Sequence, residues 1–118
     1  MSLITRLFDR RREIVIELPE LDAEKLGFAA IFRAAPTNRS RDWHEKSALR
    51  IQQALTLAQS KQTNAQIANE LLPVALTDAE WKAVGRLCLM EGEKSNGKWA
   101  RGIATRIMTS AIARGEIK

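Results

Sequence analysis

The stretch LTDAEWKAVGRLCLMEGEKSNGKWARGIATRIMTSAIARG, residues 76–115, decides how the rest of the chain is read. Thr77 and Glu80 stand at capping-box spacing, in which the threonine hydroxyl accepts from the Glu80 backbone N–H and the glutamate side chain reaches back to the N–H of Thr77. At helical periodicity Trp81, Val84, Leu87 and Cys88 share one arc, with Ala83 and Met90 at its margins, while Lys82 and Arg86 point away. A helix over 77–91 is therefore predicted. Glu91-Gly92-Glu93-Lys94-Ser95-Asn96-Gly97 then forms a turn, and a second amphipathic helix spans 95–114. Its apolar side holds Trp99, Ala100, Ile103, Ala104, Ile107 and Ala111; Lys94, Lys98, Arg101 and Thr105 lie opposite.

Working outward, Thr63 reads as the N-cap of a shorter helix over 63–72, with Ala65, Ile67, Ala68, Leu71 and Leu72 as apolar positions and Pro73 as the stop. Residues 73–76 connect it to the organising pair. A long helix is predicted over 42–60, where Trp43, Ile51, Ala54, Leu55 and Ala58 recur at helical spacing. The polar run Pro36-Thr37-Asn38-Arg39-Ser40 precedes it. Leu21 to Ala35 suits a helix or mixed segment, although Gly27 to Phe32 would also pair as a hairpin with Glu13 to Leu18. That earlier run alternates, placing Ile14, Ile16 and Leu18 on one side until Pro19 ends it. Residues 2–12 interleave Leu3, Ile4, Leu7 and Phe8 with arginines, so residues 1–20 form an amphipathic and strand segment. The expected fold is mainly α: about four helices in one domain over 1–118, with a short N-terminal strand or hairpin and no internal repeat.

The chain has 118 residues, 45% hydrophobic and 28% charged, a composition that supports a packed core. One cysteine excludes an intramolecular disulfide, and Cys88 on an apolar arc reads as a core residue. No apolar run is long enough to span a bilayer, and the apolar part of residues 1–12 is too short for a signal peptide. A soluble, cytoplasmic protein without a membrane partner is expected. The net charge is +5, concentrated in two blocks: residues 26–62 and 93–118 each carry six basic against two acidic side chains. Such blocks favour a polyanion, nucleic acid first.

In the second block Lys94, Lys98 and Arg101 stripe one helix face. The helix N-terminus adds unpaired N–H groups, and Ser95, Asn96 and Gly97 can bring backbone donors close to a phosphate. Gly92, Gly97 and Lys98 also match G-x-x-x-x-G-K spacing, but Trp99 stands where a magnesium-binding hydroxyl belongs and a helix precedes the loop, so nucleotide binding is not inferred. In the first block Arg39, Arg41, Lys46 and Arg50 surround Trp43 and His44, a mixture suited to backbone tracking or base stacking. A lone histidine offers no metal site, and neither a nucleophile with its base nor paired carboxylates can be assembled. No metal, no cofactor and no catalysis are expected.

The short strand, the capped helix from Thr77, the turn at Gly92 and the second helix opening at Ser95-Asn96-Gly97 come in a familiar order. Over Leu72 to Gly115 the chain resembles the ribbon-helix-helix module of small dimeric DNA-binding proteins. The resemblance implies a dimer whose paired strands enter the major groove while Ser95, Asn96, Gly97 and Lys98 hold phosphates. The strand departs from the family's pattern, because Leu71, Pro73 and Ala75 cannot read base edges. Thr63 to Met90 also resembles a helix-turn-helix, though Pro73-Val74-Ala75-Leu76 replaces its tight turn. The functional expectation is a non-catalytic nucleic-acid-binding protein, DNA or RNA, acting as an accessory or regulatory factor or as a small subunit of a nucleoprotein complex. The alternative is a protein-interaction or assembly factor of virion-assembly or inhibitor type. Leu49 and Leu89, on otherwise polar arcs, would suit a protein partner or a homo-oligomer.

Overall fold

The computed structural model describes residues 12–34 and 45–115. Among them are two strands and five helices: β1 (Glu13–Pro19), α1 (Glu20–Ala34), α2 (Glu45–Ser60), α3 (Asn64–Ala68), β2 (Leu71–Thr77), α4 (Asp78–Gly92) and α5 (Lys98–Ala113). The fold is mainly helical, as expected, with one helix more than expected and a strand over 71–77, where apolar spacing gives a helix end and connector and the ribbon-helix-helix resemblance a short strand.

Strand β2 is the principal correction. The helix expected over 63–72 ends at Ala68, and Leu71 to Thr77 is extended. Thr63 does cap this helix through a capping box with Gln66, but α3 buries none of its residues, including the predicted Ala65, Ile67 and Ala68. The reason lies in the next residues. Leu72, Val74 and Leu76 alternate with Pro73, Ala75 and Thr77, and that period-two pattern puts all three apolar side chains into the core. The partner strand does the same with Ile16 and Leu18. The hairpin alternative for Gly27 to Phe32 is overturned: these residues are helical, and β1 pairs with β2 instead. Both are edge strands, the setting in which Pro73 is tolerated.

The strand and helix lengths expose a repeat that the sequence reading denied. Each strand has seven residues, α1 and α4 have fifteen each, and α2 and α5 have sixteen each. The chain is thus strand, helix, helix, written twice, with α3 in the connection. Laid on one another, the first two elements of each unit agree in burial: Ile16 with Val74, Leu18 with Leu76, Ala23 with Trp81, Leu26 with Val84 and Ala30 with Cys88 are all buried. In the second helices Ala48 matches Ala100, and Ile51 matches Ile103. The pairing respects the same symmetry. The antiparallel register joins Glu13 to Thr77, Pro19 to Leu71 and, at the centre, the equivalent residues Ile16 and Val74. A pseudo-two-fold axis through that central pair produces this register.

The two units interlock. Helix α2 packs on β2 and α5 on β1, so each second helix lies on the strand of the other unit, while α1 packs on α2 and α4 on α5. One apolar cluster, from Ile16 to Ile103, joins both units. Trp81, 1% exposed, fills the space beneath β1 and donates its Nε1–H to the Ile14 carbonyl at 2.8 Å. Without that acceptor the indole N–H would be a buried, unsatisfied donor.

The helix bounds otherwise move by small amounts. The helix expected over 77–91 runs from Asp78 to Gly92, with the Thr77 and Glu80 capping box in place. The helix expected from 95 starts at Lys98, because Ser95 and Asn96 belong to the turn. The long helix begins at Glu45 among the described residues, and the reading of residues 1–11, 35–44 and 116–118 lies outside them.

Candidate nucleic-acid interface

The ten sequence-selected residues separate into distinct physical situations. Arg39 and Arg41 lie outside the described residues, as do Trp43 and His44. Lys46 is exposed in the first described turn of α2, and Lys98 is exposed in the first turn of α5. Among the described residues neither lysine enters an ion pair. The pseudo-symmetry that matches Ala48 to Ala100 also matches Lys46 to Lys98. Their helices pack on different strands of the same ribbon.

Arg50, one turn beyond Lys46, is a clamp inside the fold. Its Nε donates to Glu80 at 2.8 Å, and its Nη2 reaches Glu13 at 3.3 Å and the Ala75 carbonyl at 3.4 Å. It ties α2 to the opposite unit's strand and to the start of α4. Partial burial disfavours the charged form of Glu80, but the Thr77 backbone N–H, the Arg50 guanidinium and the Thr77 side chain outweigh it and hold the carboxyl below the ordinary glutamate value. The other unit makes a related contact, since Arg106 on α5 donates to the Glu17 carbonyl at 3.0 Å. Glu17 and Ala75 are equivalent strand positions. The symmetry is broken beside them: where Arg50 faces Glu80, the equivalent Gly102 faces Asp22.

The stripe at Lys94 and Arg101 is also engaged. Lys94 pairs with the carboxylate of the buried Glu91 at 2.9 Å, and its ammonium lies 5.8 Å from the centroid of the Phe32 ring. Arg101 donates to the carbonyl of Gly92 at 2.5 Å, closing the end of α4. Gly97 is buried, not presented to a ligand. A Cβ built on it would overlap the Glu91 carbonyl oxygen and stand 2.9 Å from Gly92 Cα, so the close approach of the two chain segments requires glycine. Ser95 and Asn96 are exposed on the turn, and Gly97 at the N-cap makes no side-chain cap to α5. Among the described cations of the two proposed patches, Lys46, Lys94, Lys98 and Arg101 are exposed, Lys94 being paired with Glu91 and Arg101 bonded to the Gly92 carbonyl.

The outward face of the ribbon carries Glu13, Val15 and Glu17 on β1 opposite Thr77, Ala75 and Pro73 on β2. Its strand positions carry two carboxylates, one of them paired with Arg50, and no cation of their own, a poor surface for the major groove. Chemistry at the lone thiol is likewise unfavourable. Cys88 is buried, and burial together with the nearby Glu91 charge pushes its pKa up to about 12, so it stays protonated at neutral pH. Among the described residues no group of three His, Cys, Asp or Glu side chains converges to hold a metal ion, and no helix is long and apolar enough to cross a membrane.

Sequence reading missed two surface grooves of equal size. One lies between α1 and α2, the other between α4 and α5, each about 730 Å³. They are symmetry counterparts: Glu24, Gly27 and Ile31 line the first where Lys82, Gly85 and Leu89 line the second. Exposure of Leu89 was anticipated, as was that of Leu49. Phe28 and Ile31 were not, because the uncertain reading of 21–35 assigned no outward face.

Compared with family models, with characterised proteins and with solved structures, the sequence and fold match none.

Proposed function

We propose that the chain is a non-catalytic nucleic-acid-binding protein in which two strand-helix-helix units hold a phosphate backbone at the starts of their second helices. The observation that carries this reading is the equivalence of Lys46 and Lys98: both are exposed, they hold counterpart positions on the two second helices, and those helices pack on the two strands of one ribbon. The arrangement resembles a ribbon-helix-helix dimer contained in a single chain, and the helix start is where that module grips phosphates. Ser95 and Asn96 supply further donors beside Lys98, and in the sequence the cations Arg39 and Arg41 precede Lys46. Recognition is of backbone, DNA or RNA, since the acidic outer ribbon face speaks against base reading. The role is that of an accessory or regulatory factor, or of a small subunit in a nucleoprotein complex, in the cytoplasm.

The test replaces Lys46 and Lys98 together with Glu. Arg50 and Arg101 are avoided because their loss would also loosen the fold. Fluorescence anisotropy against random duplex DNA and single-stranded RNA over a salt series should show wild-type affinity falling linearly on logarithmic axes, and the double variant should lose binding with its circular dichroism unchanged. With single alanine substitutions the slope should fall by roughly 0.7 to 0.9 per lysine removed. Salt-independent binding, or binding that survives the double reversal, overturns the proposal.

A second reading, a protein-interaction or assembly factor, is favoured by the exposed apolar side chains Leu21, Phe28, Ile31, Leu89 and Met108 around the two grooves.

A further inference from the structure

The two grooves have the same shape origin and opposite charge. The α1 and α2 groove is lined by Glu20, Glu24 and Glu70 with no lysine or arginine among its described residues. Its counterpart between α4 and α5 is lined by Lys82, Arg86 and Arg114 with Asp78 as the one acid. Each has apolar side chains more than half exposed at its wall: Leu21, Phe28 and Ile31 on the acidic side, Leu89 and Met108 on the basic side. Large exposed apolar side chains bordered by charge mark a surface that covers itself with another molecule.

We propose that this molecule is a second copy of the same chain, the acidic groove of one copy docking on the basic groove of the next. Charge complementarity selects this arrangement. A two-fold contact of like grooves would set three carboxylates against three carboxylates, or two grooves of net positive charge against each other, Lys82 being paired with Asp78 at 2.9 Å while Arg86 and Arg114 keep each groove basic. The head-to-tail contact instead places Leu21, Phe28 and Ile31 against Leu89 and Met108, with opposite charges around them. Such a contact is heterologous and leaves one unused groove at each end, so association continues beyond the dimer into a chain or a closed ring. The proposal belongs to the assembly reading and is independent of nucleic-acid binding.

The experiment is sedimentation velocity of the full chain, free of nucleic acid, from about 10 μM to 1 mM, the range that reveals weak contacts. At low salt the weight-average mass should rise past the dimer with concentration and fall back in high salt as the charges are screened. Glu20→Lys with Glu24→Lys makes both grooves basic, and Lys82→Glu with Arg86→Glu makes both acidic. Each double variant should stay monomeric alone, and an equimolar mixture should associate again. Leu89→Ser, at a side chain 67% exposed, leaves the core untouched and should raise the concentration needed for assembly about tenfold. A wild-type monomer at every concentration, a dimer that does not grow, or assembly indifferent to charge reversal overturns the proposal.

Discussion

Removing the Arg50 side chain separates two roles that its sequence position leaves combined. As a phosphate contact it would contribute to binding and little to folding; as an interior clamp it does the reverse. Arg50→Ala removes the 2.8 Å bond to Glu80, the 3.3 Å contact with Glu13 and the long 3.4 Å bond to Ala75. The arginine side chain is 31% exposed, Glu80 29% and Glu13 49%, so solvent screens both pairs, the second more than the first. Partly exposed pairs of this kind contribute about 0.2 to 1 kcal/mol each. Adding the weak backbone contact, the loss should be about 1 to 2 kcal/mol, read as a lower midpoint in urea with the slope unchanged. A double-mutant cycle with Glu80→Gln isolates the stronger pair and should return a coupling of about 0.5 to 1 kcal/mol. In the same variant the salt dependence of polyanion binding should match wild type. Unchanged stability with a smaller salt slope would refute the clamp and return Arg50 to the phosphate-binding set.

Gly97→Ala should destabilise the fold by about 2 to 3 kcal/mol, since the added methyl meets the backbone of Glu91 and Gly92, which cannot rotate away; thermal unfolding followed by circular dichroism checks this, and a variant as stable as wild type would show that the turn relaxes freely. Acid should weaken the native state partly through Glu80. Its folded pKa lies below the ordinary 4.5, so its contribution is present above that value and is lost as pH falls through the folded pKa. Urea midpoints measured between pH 6 and pH 3 should therefore fall less steeply in Glu80→Gln than in wild type, and identical pH dependence would contradict the assignment.

Local structure was legible in the sequence wherever a residue's own neighbours determine it. The N-cap at Thr63 and the capping box at Thr77 involve residues at most three apart, and the burial of Trp81, Val84, Leu87 and Cys88 follows from helical spacing alone. Strand β1 was visible for the same reason. Strand β2 was read two ways, as a strand by the ribbon-helix-helix resemblance and as a helix end and connector by apolar spacing, because Leu71 and Leu72 also complete the spacing of α3; the choice is made by a partner far away in sequence, with Leu72 set opposite Leu18. The repeat escaped notice because it is a repeat of burial more than of identity. Trp81 stands where Ala23 does, and Lys82 where Glu24 does, so the two halves share a pattern while differing in volume and charge. The candidate site was legible in part. Exposure of Lys46 and Lys98 follows from helical phase, whereas the capture of Arg50 by Glu80 and of Lys94 by Glu91 depends on how elements and turns are packed.

The exchange of second helices between the two units has a consequence for dissection of the protein. A fragment ending before β2 keeps α2 but lacks the strand that α2 lies on, and the remaining fragment has the mirror deficit. Neither piece is an autonomous module. Cleaved within the connection and mixed, the two should recover a folded complex only together, each supplying the template the other needs. Joining them in one polypeptide makes that mutual dependence unimolecular, and it frees the halves to diverge: a paired assembly of identical chains must accept every substitution twice, whereas here Arg50 and Gly102 occupy counterpart positions in a single molecule.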